Sequence, residues 1–432
     1  MTANNGSLNR VFTFWTLLIY GVGDILGAGI YALIGKIAGE AGGYLWLSFL
    51  IAMTVALLTG LSYAELGSRF PKSGGAAHFC EQALSPAAGF FAGWVLLCAT
   101  VVSMATLSRA FVGYLETYSL SLSDTAIIVA FVCFVGLINF RGIKHSSAAN
   151  IIATTIEISG LLVVLVSAAY FFTQHEFSLF TGKLKTDGVL AGAALAFYAF
   201  IGFEDLVNVS EETKNPERTV PRAIVGAVLI AGALYMLVAL SAAAVAGPER
   251  LAASSAPLVE AVRLSGSGFP LGVFPLIALF AIFNTTLLNY VTASRLLFGM
   301  SKEGVIPGWF AAVHPKFRTP HAAIAFIFPI VIGVSLLGNL AYLASATSGL
   351  VLTAFALVNL SLIVVHWRAS RHEGFRAPRP APYAALALNL AAFFYLNAES
   401  LKLVAVILAT GAAAALLMRM ARGHALGGAR RA

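Results

Sequence analysis

Charge is scarce in this chain: of 432 residues only 11% are Asp, Glu, Lys or Arg, against about 25% in an average soluble domain. With 59% of residues hydrophobic, too little polar surface exists to clothe a water-soluble body, and most side chains must face one another or lipid. The same numbers exclude a disordered chain. Cysteine is also sparse. Cys80, Cys98 and Cys133 lie in or beside apolar stretches without C-x-x-C spacing or a histidine cluster, so they read as packing residues, with no disulfide framework and no metal site. Nucleotide-binding signatures are missing: Gly21-x-Gly23-x-x-x-Gly27 is one residue too long for a dinucleotide fingerprint, and Gly35-Lys36 is followed by Ile37 rather than Ser or Thr. No cofactor is expected. A basic leader with a small-residue cleavage site is lacking too, so no removable signal peptide is expected. The net charge of +8 is scattered between apolar runs, which suits a membrane surface and not a nucleic-acid partner.

What the chain does have is long apolar runs. A helix needs about 20 mostly apolar residues to cross the hydrocarbon core, and about twelve candidates occur, at 12–38, 43–68, 85–115, 122–140, 146–172, 188–212, 219–246, 270–298, 321–338, 341–366, 381–397 and 400–420. The expected fold is all-α and integral to the membrane, a single transport domain over 1–432. A cytoplasmic N-terminus puts 20 of the 27 basic residues on one face, Arg10, Arg69, Lys72, Arg141, Lys144, Lys214, Arg295, Arg318, Arg371, Arg430 and Arg431 among them. The positive-inside bias then makes both termini cytoplasmic in a multi-pass protein of the cell membrane.

Two runs differ in kind. The first carries Gly21, Gly23, Gly27 and Gly29 with Asp24 among them; the sixth carries Gly202 followed by Glu204 and Asp205. Each glycine weakens a helix by about 1 kcal/mol relative to Ala, and a charge at mid-bilayer costs several more. The interruptions recur five spans apart, as two five-helix repeats of opposite orientation would give, over 11–172 and 188–366, with 381–420 as two additional helices. A helix that unwinds in lipid must place its freed N–H and C=O groups against protein, water or a bound solute. The half-helix starting at Gly27-Ala28-Gly29 offers N–H groups and a positive dipole end to a carboxylate. Released carbonyls near 20–22 and 200–202 suit an ammonium group or a cation. An α-amino acid fits both. The competing reading of the glycines is close helix packing, against which Asp24 weighs, since packing requires no carboxylate in the same turn.

Gly21 to Gly35, the run Phe200-Ile201-Gly202-Phe203-Glu204 continuing through Glu211 to Pro221, and Ala293-Ser294-Arg295 leading to Gly304-Val305-Ile306-Pro307 resemble the amino acid–polyamine–organocation transporter family. The resemblance covers essentially the whole chain. It implies a leucine-transporter-like fold of two inverted five-helix repeats plus two peripheral helices, working by alternating access. By the same resemblance Gly27, Ala28 and Gly29 form the carboxylate-binding bend, while Ile201, Gly202 and Phe203 form the break that receives the amino group. Tyr198 matches an aromatic that closes over substrate in some members, core packing being its alternative. Glu204 matches a glutamate implicated in gating in a related arginine–agmatine antiporter. Ser103 and Met104 are candidates for the side-chain pocket.

Two residues depart from the family pattern. Asp24 stands where many relatives are neutral; ionised, with Glu204 nearby, it favours a cationic side chain or a polyamine, and protonated it is a hydrogen-bond donor or proton carrier. Glu157 stands where several sodium-independent relatives have a lysine. It can exchange a proton or help hold a cation with Thr285 and Thr286, or be neutralised by Asn284 or Asn289, and proton coupling is the favoured expectation. His314, His321, His366 and His372 read as solvated loop residues. The leading function is therefore secondary active transport of amino acids, by proton coupling or exchange, with cationic amino acid or polyamine antiport as the alternative. A channel lacks its filter motif here and a membrane enzyme its catalytic set.

Overall fold

A computed structural model describes residues 10, 12–72, 74–119, 121–141, 147–176, 183–302, 306–317, 319–368 and 372–429, with backbone alone for 147–151 and 417–429. Lys144, Arg318, Arg371, Arg430 and Arg431, and Gly304 and Val305 of the third motif, lie outside these described residues. The chain runs α1 (Phe14–Ile25), α2 (Gly29–Ala41), α3 (Leu45–Arg69), α4 (Gly75–Ala83), α5 (Pro86–Leu115), α6 (Asp124–Arg141), α7 (Ser147–Phe172) and α8 (Thr186–Ala196). It continues α9 (Pro216–Ala246), α10 (Pro248–Ala253), α11 (Pro257–Leu264), α12 (Val273–Lys302), α13 (His321–Leu337), α14 (Leu340–Trp367), α15 (Ala381–Phe393) and α16 (Ala398–Ala429). Among the described residues nine helical stretches are long and apolar enough to cross a membrane, and α1, α13 and α15 are shorter apolar helices. The protein is an all-α membrane protein.

Local chemistry starts the helices where they start. Pro86 opens α5 behind Ser85, whose hydroxyl accepts from the Ala88 N–H at 3.2 Å, a first-turn proline behind an oxygen cap. Asn339 caps α14 by accepting from the Tyr342 N–H at 2.9 Å. The expected spans 12–38 and 188–212 are both interrupted: α1 stops at Ile25 before α2 begins at Gly29, and α8 gives way at Phe197 to short 3-10 turns reaching Glu212.

Packing gathers these pieces into one body. Helix α3 lies along α9, α5 sits between α12 and α14, and the two halves of the first broken span pack on different partners, α1 on α9 and α2 on α8. Bonds between distant loops fix one end. Phe12 bridges Thr213, with its N–H donating to the Glu212 carbonyl at 3.0 Å and its carbonyl accepting from Lys214 at 2.9 Å. The Ser68 hydroxyl donates to the Glu217 carbonyl, and Thr319 to that of Phe140. Arg69, Arg141 and Lys214 therefore share this basic end with the start of α1.

At that end Glu65, fully buried, is an unexpected hub. Its carboxylate accepts from Arg69 Nε at 2.9 Å, from the Ala377 N–H at 2.8 Å, and lies 3.0 Å from His366 Nε2. His372 Nε2 lies 3.0 Å from the Ser68 hydroxyl. Neither His366 nor His372 is the solvated loop residue that the sequence suggests: each is drawn in because a buried polar group on α3 needs a partner.

Candidate functional site

The two helix breaks meet. After α1, the Leu26 N–H still reaches the Val22 carbonyl, whereas Ala28 donates its N–H sideways to the Thr285 hydroxyl of α12 at 3.1 Å. In the second break Ile201 is extended and Gly202 turns back with φ 130°. Only glycine fits there, because that φ strains any L side chain and a Cβ would lie 2.8 Å from the Asp24 carbonyl. Gly29 likewise meets Ala199 backbone to backbone, its Cβ position 2.6 Å from the Ala199 Cα. Tyr235 of α9 fastens both breaks: its hydroxyl donates to the Ile25 carbonyl at 2.5 Å, with the Ala199 carbonyl 3.1 Å away.

Between the breaks lies a cavity of about 60 Å³. Of the residues singled out at the breaks and the pocket in the sequence, Gly23, Asp24, Gly27, Ala28, Gly29, Ser103, Tyr198, Ile201, Gly202 and Thr285 line it. A hydrogen-bond chain crosses its wall: Asn289 Nδ2 donates to the Ser103 hydroxyl at 3.0 Å, which lies 2.8 Å from that of Tyr198. Tyr198 thus lines the cavity and is also held in place by its own polar partner.

Five other candidates do not line it. Met104 is fully buried behind Ser103, because one step along a helix turns the side chain by about 100°. Phe203 packs its ring on Tyr63 and Phe355, with centroids 5.7 and 5.1 Å away. Thr286 spends its hydroxyl on the Ile282 carbonyl of its own helix at 2.6 Å, so Thr285 alone of that pair faces the first break. Glu204 accepts from the Gly202 N–H at 2.8 Å and so braces the second break from behind. Glu157 is fully buried next to the site; its Oε1 accepts from Asn284 Nδ2 at 3.1 Å, and its Oε2 has no partner among the described residues.

Asp205, Leu288, Thr292 and Tyr235 carry no site role in the sequence, and Asn284 and Asn289 stand there only as neighbours of Glu157. Asp205, Asn284, Leu288, Asn289 and Thr292 line the cavity. The asparagines and Thr292 stand at helical spacing along α12 beside Thr285, a pattern that a polar-face count of that span would have caught. Asp24 Oδ2 is buried without a partner among the described residues, so the cavity wall carries an acceptor suited to a proton or to a cationic group.

The arrangement of unwound peptide groups, hydroxyls, carboxamides and two carboxylates can bind a small polar solute, while among the described residues no nucleophile–base pair is assembled in its lining. Comparison with known proteins agrees. An amino acid permease family model matches residues 12–416. The chain is 28% identical to a branched-chain amino acid permease of Bacillus subtilis over 92% of this chain and 90% of that protein. It is 31% identical to an uncharacterized transporter of Mycobacterium tuberculosis over 94% and 91% of the two chains. With the chloroplastic cationic amino acid transporter 9 of Arabidopsis thaliana it shares 30% identity over 73% of this chain and 59% of that one.

Proposed function

The chain belongs to the amino acid permease family, a transporter and not an enzyme, and from that premise we propose that it moves amino acids across the cell membrane by alternating access with proton coupling through Glu157. The one observation that carries this reading is the meeting of two broken helices around a polar cavity. Counted with α1/α2 and α8 through Glu212 as single passages, the helices allow twelve crossings, with repeats over 11–172 and 188–366 and two further helices in 381–420. The basic end, cytoplasmic in this reading, then holds both termini.

The substrate carboxylate takes the N-terminal turn of α2 at Gly27, Ala28 and Gly29, where N–H groups lack intrahelical partners. The amino group takes the peptide groups at Ile201, Gly202 and Phe203, and Ser103 and Tyr198 border the side chain. Glu157 suits proton exchange because a buried carboxylate with an unpaired oxygen is costly, and Asn284 links it to the cavity wall. Glu204 and Thr285 hold the two breaks in shape and so govern gating. Cationic amino acids or polyamines are a second reading, favoured by Asp24 and Asp205 lining the cavity together.

The test is uptake of radiolabelled L-leucine and L-arginine into proteoliposomes with and without an inward proton gradient. Wild type should respond to the gradient, whereas Glu157→Gln should transport by exchange only, with no gradient response. Equal dependence in both proteins removes Glu157 from the coupling. Leucine preferred over arginine favours neutral substrates, and the reverse favours the cationic reading.

A further inference from the structure

A second and larger cavity, of about 310 Å³, lies beyond the central one along α5. Ser103 borders the central cavity and Ala110, Gly113 and Tyr114 the other, about 10–16 Å further along the helix at 1.5 Å per residue. The layer between them is closed. Thr106 is fully buried with its hydroxyl 3.5 Å from that of Thr347 on α14, the carbonyl of fully buried Tyr31 accepts from the Tyr114 hydroxyl at 2.9 Å, and Gly29 abuts Ala199. The larger cavity sits at the end opposite the basic one, the outside in the proposed topology.

Its walls carry both signs of charge: Lys36 and Arg109 against Glu116 and Asp124. Helix ends add to this. Leu340 and Ala341 belong to the first turn of the 28-residue α14, whose N–H groups and positive dipole end favour an anion. Gly113 and Tyr114 belong to the last turn of the 30-residue α5, whose negative dipole end favours a cation. Arg109 Nε donates to the Ser335 carbonyl at 2.7 Å, while its Nη1 is 3.5 Å from Asp124 Oδ2, a long contact from which a ligand carboxylate can draw the guanidinium. The volume falls at the lower end of the range of about 300–1,000 Å³ for small-molecule sites.

We propose that this cavity is a second, outer binding site for the zwitterionic amino acid, resting on the amino acid reading above. The carboxylate engages Arg109 and the first turn of α14, and the ammonium group engages Glu116, before the layer at Thr106 and Gly29 parts to admit the solute to the central site. Arg109 here selects and concentrates substrate from one side only, whereas a purely structural arginine would affect both sides alike.

The experiment measures uptake of radiolabelled L-leucine and L-arginine in right-side-out and inside-out vesicles. Arg109→Gln should raise the outside KM about tenfold, the size expected for losing a charge-assisted hydrogen bond, and leave the inside KM within about twofold; Arg109→Lys should recover most of the outside affinity. A second measurement does not depend on that variant folding. Ala341→Cys, with Cys98 and Cys133 replaced by Ser, should react with a membrane-impermeant maleimide from outside, and the transported amino acid should slow the reaction even when Gly202→Ala has disabled the central site. An unchanged outside KM, an equal rise on both faces, or protection lost with Gly202→Ala overturns the outer site. Absence of uptake of both amino acids by wild type sinks the amino acid reading and the outer site together, whereas wild-type uptake without protection of Ala341→Cys sinks the outer site alone.

Discussion

Gly202 holds a φ of 130° within a Cβ's reach of the Asp24 carbonyl, so Gly202→Ala must both strain its own backbone and push the two breaks apart. The expected cost is about 1–3 kcal/mol, read as a lower unfolding midpoint in detergent, with uptake abolished; normal uptake by this variant would show that the close contact is dispensable. Tyr235→Phe removes the hydroxyl that fastens Ile25 and Ala199, and should cost about 1–3 kcal/mol through the buried carbonyls it strands while slowing transport. The two residues differ in how far the sequence discloses them. A glycine beside carboxylates in mid-span is a local contradiction and stands out, whereas a tyrosine in an apolar helix bonds a carbonyl 210 positions away and has no local signature. Met104 and Thr286 show the complementary limit. Each adjoins a residue that does face the cavity, and helical phase, which a short apolar window cannot define, separates them from it.

Helix α3 illustrates what is hidden at the scale of elements. Its Glu65–Arg69 spacing is an ordinary i, i+4 pair, yet the carboxylate also collects His366 from the end of α14 and the Ala377 N–H beyond it. Sequence separations of about 300 residues keep that hub out of reach of any pattern. By contrast the breaks at 26–28 and 201–202 were legible, because glycine and acid in an otherwise apolar span conflict with a continuous helix. Next to the hub, His372 is pushed below the usual histidine range by burial first and by Arg69 second, against smaller opposing effects of Glu65 and Glu217. Its folded-state value lies below its unfolded one, so the unfolded chain takes up the proton first as the medium is acidified. The stability it contributes is full above about pH 6.5, the ordinary histidine value, and is lost as pH falls below it. The unfolding midpoint should therefore drop between pH 7 and pH 5 by more in wild type than in His372→Gln; identical drops would mean that the Ser68 contact does not depend on the histidine's protonation.

Viewed as a whole, the molecule has two cavities stacked along α5 with a closely packed layer between them. Towards the outer cavity the central one ends at buried Ser103 and Tyr198, while Asp24, Asp205 and Thr292 on its other side are partly exposed. In the topology proposed above, the central site is expected to open towards the basic end. If the basic end is cytoplasmic, as the positive-inside bias requires, Thr292→Cys in the background lacking Cys98 and Cys133 should react with an impermeant maleimide in inside-out vesicles and scarcely at all in right-side-out ones. The proposed alternating access adds a second expectation. A conformation open to the outside must close this path, so any ligand that favours it slows the labelling by the ratio of its affinities for the two states. Reaction of Thr292→Cys from the outside alone would reverse the topology and move the larger cavity to the cytoplasmic face. Equal reaction from both faces, unchanged by ligand, would mean a continuous pore, which the packing of Gly29 on Ala199 and the bonds of Tyr235 to both breaks argue against.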